Sequence, residues 1–209
     1  MILNKAELID NGSDKAARRA RRLVIETLEF TLASVDPYAL VSQKVKRQGE
    51  KLHVEDQVVP LGGYDRIFVV GAGKASGAMA AALETILGKR LTGGLVVAPK
   101  GQQSRRLERV RLVTASHPTP DADSVNAAKA LIALVENLSS RDLLVCVISG
   151  GGSALMSLPI EPLTIDDKGS GARLLMNAGA TIVELNTVRK HLSMIKGGWL
   201  AKRSHAGRI

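Results

Sequence analysis

The sequence predicts an α/β domain built on a mostly parallel, doubly wound sheet, and three observations lead there. Short apolar runs at 67–72, 95–98, 110–115 and 143–148 lack the polar alternation of a half-exposed strand, as strands covered on both faces do. Helix-period segments fall between several of these runs. Glycine- or proline-rich turns follow the strand ends directly, and in such sheets ligands sit outside the carboxyl ends of the strands.

The elements follow in order. A helix is expected over about 13–35, capped by Ser13 or Asp14, with Ala17, Ala20, Leu23, Val24, Thr27, Leu28 and Thr31 recurring at helical spacing. Asp36-Pro37 ends it, because the residue before proline avoids the helical region. A polar stretch to Gly63 contains one short edge strand at 51–54, with His53 at the surface. The first buried strand, 67–72, makes a glycine turn into an alanine-rich helix beginning near Ala75. Strands at 95–98 and 110–115 flank a basic loop over 101–108. A helix over about 123–138, capped by Asp121 or Asp123, presents Ala127, Ala130, Leu131, Leu134, Val135 and Leu138 to the core. The strand at 143–148 is the most apolar of all.

Bulk properties set limits. At 209 residues the chain is one large domain or two small ones, with a core of Ala, Val, Leu and Ile, since aromatics make up only 2%. The lone Cys146 suits a reducing compartment and rules out a disulfide framework. No apolar run is long enough to span a bilayer, and the first residues lack a secretory h-region, so a cytoplasmic location is expected, with no membrane partner. The net charge of +9 fits attraction to anions, or a solvated basic surface. Arginines cluster at 18–22 and 105–106 without the interleaved aromatics of a single-strand binder, so no nucleic-acid partner is expected.

Two glycine loops carry the chemistry. Around Gly71, Gly73 and Lys74, a tight turn leads into a helix N-terminus, which suits a phosphate or carboxylate. The fit to known fingerprints is partial: the third dinucleotide glycine is Ser76, and the P-loop hydroxyl is replaced by Ala75. An ordinary strand-to-helix turn with a solvated lysine is the alternative. Ser149, Gly150, Gly151, Gly152 and Ser153 follow the last strand directly, where consecutive glycine N–H groups can converge on an anion. Ser153 lacks the G-x-S-x-G setting of an activated nucleophile. A closing helix over 179–198 would set Asn186, Arg189, Lys190 and Ser193 against a buried face of Leu185, Val188, Leu192 and Ile195, with Gly197-Gly198 ending it.

Three stretches, Ser149-Gly150-Gly151-Gly152-Ser153-Ala154-Leu155, Glu184 through Ser193 and Lys196-Gly197-Gly198, resemble the glycerate 2-kinase family that carries a MOFRL C-terminal domain. The Gly71-Ala72-Gly73-Lys74-Ala75 turn and Ser116-His117-Pro118 agree in the same order. The resemblance implies ATP-dependent phosphorylation of glycerate to 2-phosphoglycerate with Mg2+, and a Rossmann-like N-terminal domain facing a smaller second domain. It makes Lys74 and Arg189 catalytic. The N–H groups of Gly150 to Ser153 would hold phosphate or carboxylate beside Gly71, Gly73 and Ser149. Lys190 and Lys196 would add positive charge, and Asn186 a polar anchor. No metal ligand is assigned; Glu184 is the nearest candidate, with pairing to Arg189 or Lys190 the alternative. Family members are much longer, so residues 1–209 are expected to be the N-terminal domain alone, and weak or no turnover is expected of it. Some relatives carry the name hydroxypyruvate reductase, which keeps an NAD(P)H reductase open. An anion- or nucleotide-binding remnant without turnover is the third reading. At the end of the second strand Pro99-Lys100 stands where a ribose-binding acid would, with no acid near in sequence.

Overall fold

The computed structural model describes residues 2–102 and 105–209. Two helices open the chain, α1 (Lys5–Asp10) and α2 (Lys15–Ser34); α3 (Pro37–Lys44) then leads into the strands β1 (Val45–Gln48), β2 (Lys51–Val54) and β3 (Gln57–Pro60). The α/β unit comprises β4 (Arg66–Ala72), α4 (Ser76–Leu87), β5 (Gly93–Pro99), β6 (Val110–Ala115), α5 (Ala122–Glu136) and β7 (Asp142–Ile148). Four further helices close the chain: α6 (Gly152–Leu155), α7 (Ile165–Asn177), α8 (Ile182–His191) and α9 (Trp199–Arg203). No helix among the described residues is long and apolar enough to cross a membrane.

The expected parallel sheet forms, in the order β6-β5-β4-β7. The chain steps outward from β4 to β5 and β6, then returns through α5 to lay β7 on the other side of β4. The order therefore reverses between β4 and β7, the topological switch point of a doubly wound sheet. Strand alternation decides which helix each side chain meets. Ile67, Val69 and Val96 pack with Ala80, Leu83 and Leu87 of α4. Val70, Ala72, Leu95 and Val97 pack with Ala127, Leu131 and Val135 of α5. Asp121 caps α5 in a reciprocal capping box with Ser124. At the amino ends of the strands, fully buried Asp142 accepts two hydrogen bonds from Arg66, at 2.8 and 2.7 Å, tying β7 to β4 far from the switch-point loops.

Four expectations need correction. The helix near the N-terminus forms and is capped by Asp14, but its apolar stripe does not enter the core: Leu23, Val24 and Leu28 are exposed, and Ile25 is the residue α2 buries. The reason is placement, since α2 packs chiefly on the short α1 rather than on the sheet. The polar stretch before Gly63 holds α3 and a three-stranded antiparallel meander in which residues 51–54 form the central strand, not an edge, and His53 is half-buried. In β7, Cys146 and Ile148 are exposed, because β7 is an edge strand and the α5 core reaches Leu144 but not the residues beyond it. Finally, the closing helix stops at His191: Ser193 turns out of it to pair with Pro159, Ile195 is buried from a turn, and Gly198 is the N-cap of α9. Within the basic loop expected over 101–108, Gln103 and Ser104 lie outside the described residues.

Candidate functional site

Both glycine loops lie at the carboxyl ends of β4 and β7, side by side at the switch point. They are laced together. The Lys74 N–H donates to the Gly150 carbonyl at 2.8 Å, the Ala75 N–H to Ser149 Oγ at 2.9 Å, and the Ser149 N–H to the Ala72 carbonyl at 3.1 Å. Glycine is required for this approach. A Cβ on Gly71 would occupy the space of the Val147 carbonyl, and Gly73, at φ +140°, would drive one into Ser149. The absence of a side chain at Gly71 and Gly73 is thus accounted for by protein packing, and the Gly73 N–H is itself bound to the Val97 carbonyl at 3.0 Å.

The second loop is different. Among the described residues, the N–H groups of Gly150, Gly151 and Ser153 make no hydrogen bond within the protein, while the Gly152 N–H closes a turn on Ser149. Backbone donors left open in a glycine loop form a concave anion site. Gly151, in the left-handed region at φ +89°, brings the loop against His117 and the stem of Lys74: a Cβ there would stand 2.9 and 3.0 Å from His117 ring atoms and 3.6 Å from Lys74 Cγ. Lys74 and Ser153 are exposed beside it, and Lys74 forms no ion pair among the described residues. Loop, lysine and imidazole therefore converge. His117 was visible in the sequence as a residue following a strand end, but nothing in its spacing joined it to Gly151; the fold does that.

The closing segment divides. Arg189 shares a face with Leu185, four residues earlier, rather than opposing it, and both line a cavity of about 300 Å³. Pro118, Ser157 and Lys168 line the same cavity. Lys196 donates to the Met156 carbonyl at 2.7 Å, next to it in sequence to Ser157. Asn186 and Lys190 are exposed, and the stem of Lys190 rests over Gly197, where a Cβ would meet it at 3.3 Å. Val188 is exposed, so α8 buries Leu185 alone. Glu184 pairs with neither Arg189 nor Lys190; it closes a capping box with Thr181, whose hydrogen bonds hold its carboxyl below the usual range.

An acid does reach the end of β5, from a distance in sequence. Lys100 binds Asp121 at 2.8 Å and Asp123 at 2.6 Å, which raises its pKa. Burial would raise the Asp121 carboxyl, but hydrogen bonds from Lys100 and Ser116 outweigh it and hold that group well below the ordinary range. Both partners are committed to each other, leaving neither a free acid for a ribose nor a free cation for a 2′-phosphate.

Fold and site together define a parallel α/β domain that presents a glycine-lined anion cradle at its switch point. The chain belongs to the DUF4147 family, described as a domain of unknown function, whose model matches residues 23–209. It is 38% identical over 182 residues to a protein of Pyrococcus horikoshii named glycerate 2-kinase, a match covering 87% of this chain and 40% of that protein. A relative in Agrobacterium vitis that carries a hydroxypyruvate reductase name is 46% identical over 144 residues, covering 69% of this chain and 37% of the relative. The crystal structure of a Thermotoga maritima glycerate kinase superposes with a TM-score of 0.74 at 32% identity, covering 90% of this chain and 42% of that one. The chain thus spans about two fifths of the length of the relatives it matches.

Proposed function

We propose that these residues are the N-terminal, anion-holding domain of a two-domain glycerate kinase, which transfers the terminal phosphoryl group of ATP to the 2-hydroxyl of glycerate. The observation that carries the reading is the set of open N–H groups at Gly150, Gly151 and Ser153 beside Lys74 and His117. Phosphoryl transfer depends on positioning and on neutralising charge spread over phosphate oxygens, which such groups do. The cradle fits a phosphate: the loop donors would take its oxygens, Lys74 would offset its charge, and His117 would hydrogen-bond the same ligand. ATP, when bound, supplies the phosphoryl group. No group of three or more His, Cys, Asp or Glu side chains gathers among the described residues, so a magnesium ion would arrive with ATP and be held chiefly by its phosphate oxygens. Relatives named glycerate kinase support the substrate class. The Lys100–Asp121 pair weighs against a reductase of the usual dinucleotide-binding kind.

The test is calorimetric titration of the chain with MgATP and with D-glycerate, together with an assay for 2-phosphoglycerate. Binding of at least one ligand is expected, with little or no turnover. Lys74→Met should weaken the phosphate-bearing ligand roughly ten- to a hundredfold, the range for losing one charge-assisted hydrogen bond. Failure of both ligands to bind at millimolar concentration would end the proposal.

A further inference from the structure

The cavity between α7, α8 and the 118–120 turn holds a concentration of positive charge that no acidic side chain among the described residues pairs with. From α7 come Lys168, only 6% exposed, and Arg173; from α8 comes Arg189; behind them stands Lys196. No Asp or Glu lines the cavity, and among the described residues none of these four cations is in an ion pair. The polar partners are neutral: Ser157 Oγ accepts from Lys168 at 3.3 Å, and Met156 O accepts from Lys196. Burial, reinforced by the charge of Arg189, brings Lys168 down to about 8. Burial, reinforced by Lys168 and Arg189, brings Lys196 down to about 7. Burying lysines beside an arginine without a counter-charge is costly, and the ordinary remedy is an anion.

We propose that this cavity is a binding site for a small oxyanion, a carboxylate or a phosphate, held by Lys168, Arg189 and the Ser157 hydroxyl. At about 300 Å³ it sits at the bottom of the range for ligand pockets, which suits a molecule of a few heavy atoms rather than a nucleotide. Neither Lys74 nor either glycine loop lines it, so the site is separate from the cradle, though the two share the turn that carries His117 and Pro118. The site does not depend on kinase activity: three cations without an ion pair among the described residues, Lys168, Arg173 and Arg189, line one cavity and ask for an anion whatever the reaction is.

The experiment titrates the Lys74→Met chain, whose cradle is weakened, with sodium phosphate and, in a separate arm, with D-glycerate, in oxyanion-free buffer. Saturable binding of at least one is expected; the arm that binds identifies the source as phosphate or carboxylate. Adding Lys168→Met or, separately, Arg189→Gln should weaken that binding at least about tenfold, a loss of one charge-assisted contact. Arg189 is half-exposed, so its variant decides the matter if the buried one does not fold. No saturable binding in either arm, or binding that the folded variants leave unchanged, overturns the proposal.

Discussion

Replacing Lys168 by Met should stabilise the protein near neutral pH, and the size of the gain follows from its surroundings. The folded-state pKa of about 8 stands below the ordinary lysine value of 10.5, so the unfolded chain binds more protons between those values. For a base this means that the penalty for burial is fully present below about pH 8 and that stability rises with pH through the window up to 10.5. At about 1.4 kcal/mol per pH unit, the penalty near neutrality is about 3 kcal/mol. Met fills the same stem volume without charge but leaves Ser157 Oγ without its donor, a loss of about 1 kcal/mol. The net expectation is a gain of about 2 kcal/mol near pH 7 that vanishes, then reverses by about 1 kcal/mol, as the pH passes about 11. Urea unfolding of both proteins across that range, without added oxyanions, measures it. A variant less stable than the parent at neutral pH, or a difference independent of pH, would refute the picture of an uncompensated buried cation.

Individual contacts elsewhere in the fold have measurable consequences too. Gly71→Ala should cost about 3 kcal/mol, because its Cβ would force β4 away from the Val147 carbonyl; Gly62→Ala, with open space around it, should change stability by less than about 0.5 kcal/mol, and equal effects in denaturant would contradict the packing argument. Asp142→Asn should cost about 2 kcal/mol, since it weakens two hydrogen bonds from Arg66 to a fully buried carboxylate. The same substitution in an Arg66→Leu background should cost measurably less, and additive losses would show that the pair is not coupled.

The α/β class was legible in the sequence because strands buried on both faces lose their alternation, and the runs at 67–72 and 143–148 show that plainly. The start of α5 was legible as a cap at Asp121 or Asp123, since capping is a matter of neighbours within a turn, and the structure selects Asp121. That both glycine loops fall at the carboxyl ends of strands followed from the same reading of the strands, but that β7 lies beside β4 and brings the loops together is a matter of strand order, which only the tertiary structure decides. What local pattern could not carry was placement. The apolar stripe of α2 looks like a core face in any helical projection, yet Leu23 and Val24 remain exposed because the helix lies on α1. Likewise the period of residues 185–195 continues past the point where Ser193 leaves the helix to pair with Pro159, a contact with a segment far away in the chain.

The site divides along the same line. Sequence alone identified the donor-rich loop from Ser149 to Ser153 and the lysine at 74, since glycine runs and lysines are visible as residue types. Only the tertiary structure decided which N–H groups stay open, that His117 meets Gly151, and that Lys100 is claimed by Asp121. It also turned Lys168, given no role by the sequence, into a buried charge beside Arg189. The physical reason is that composition and period report what a residue can do, while electrostatic cost depends on distance and burial, which are set by segments remote from it in the chain.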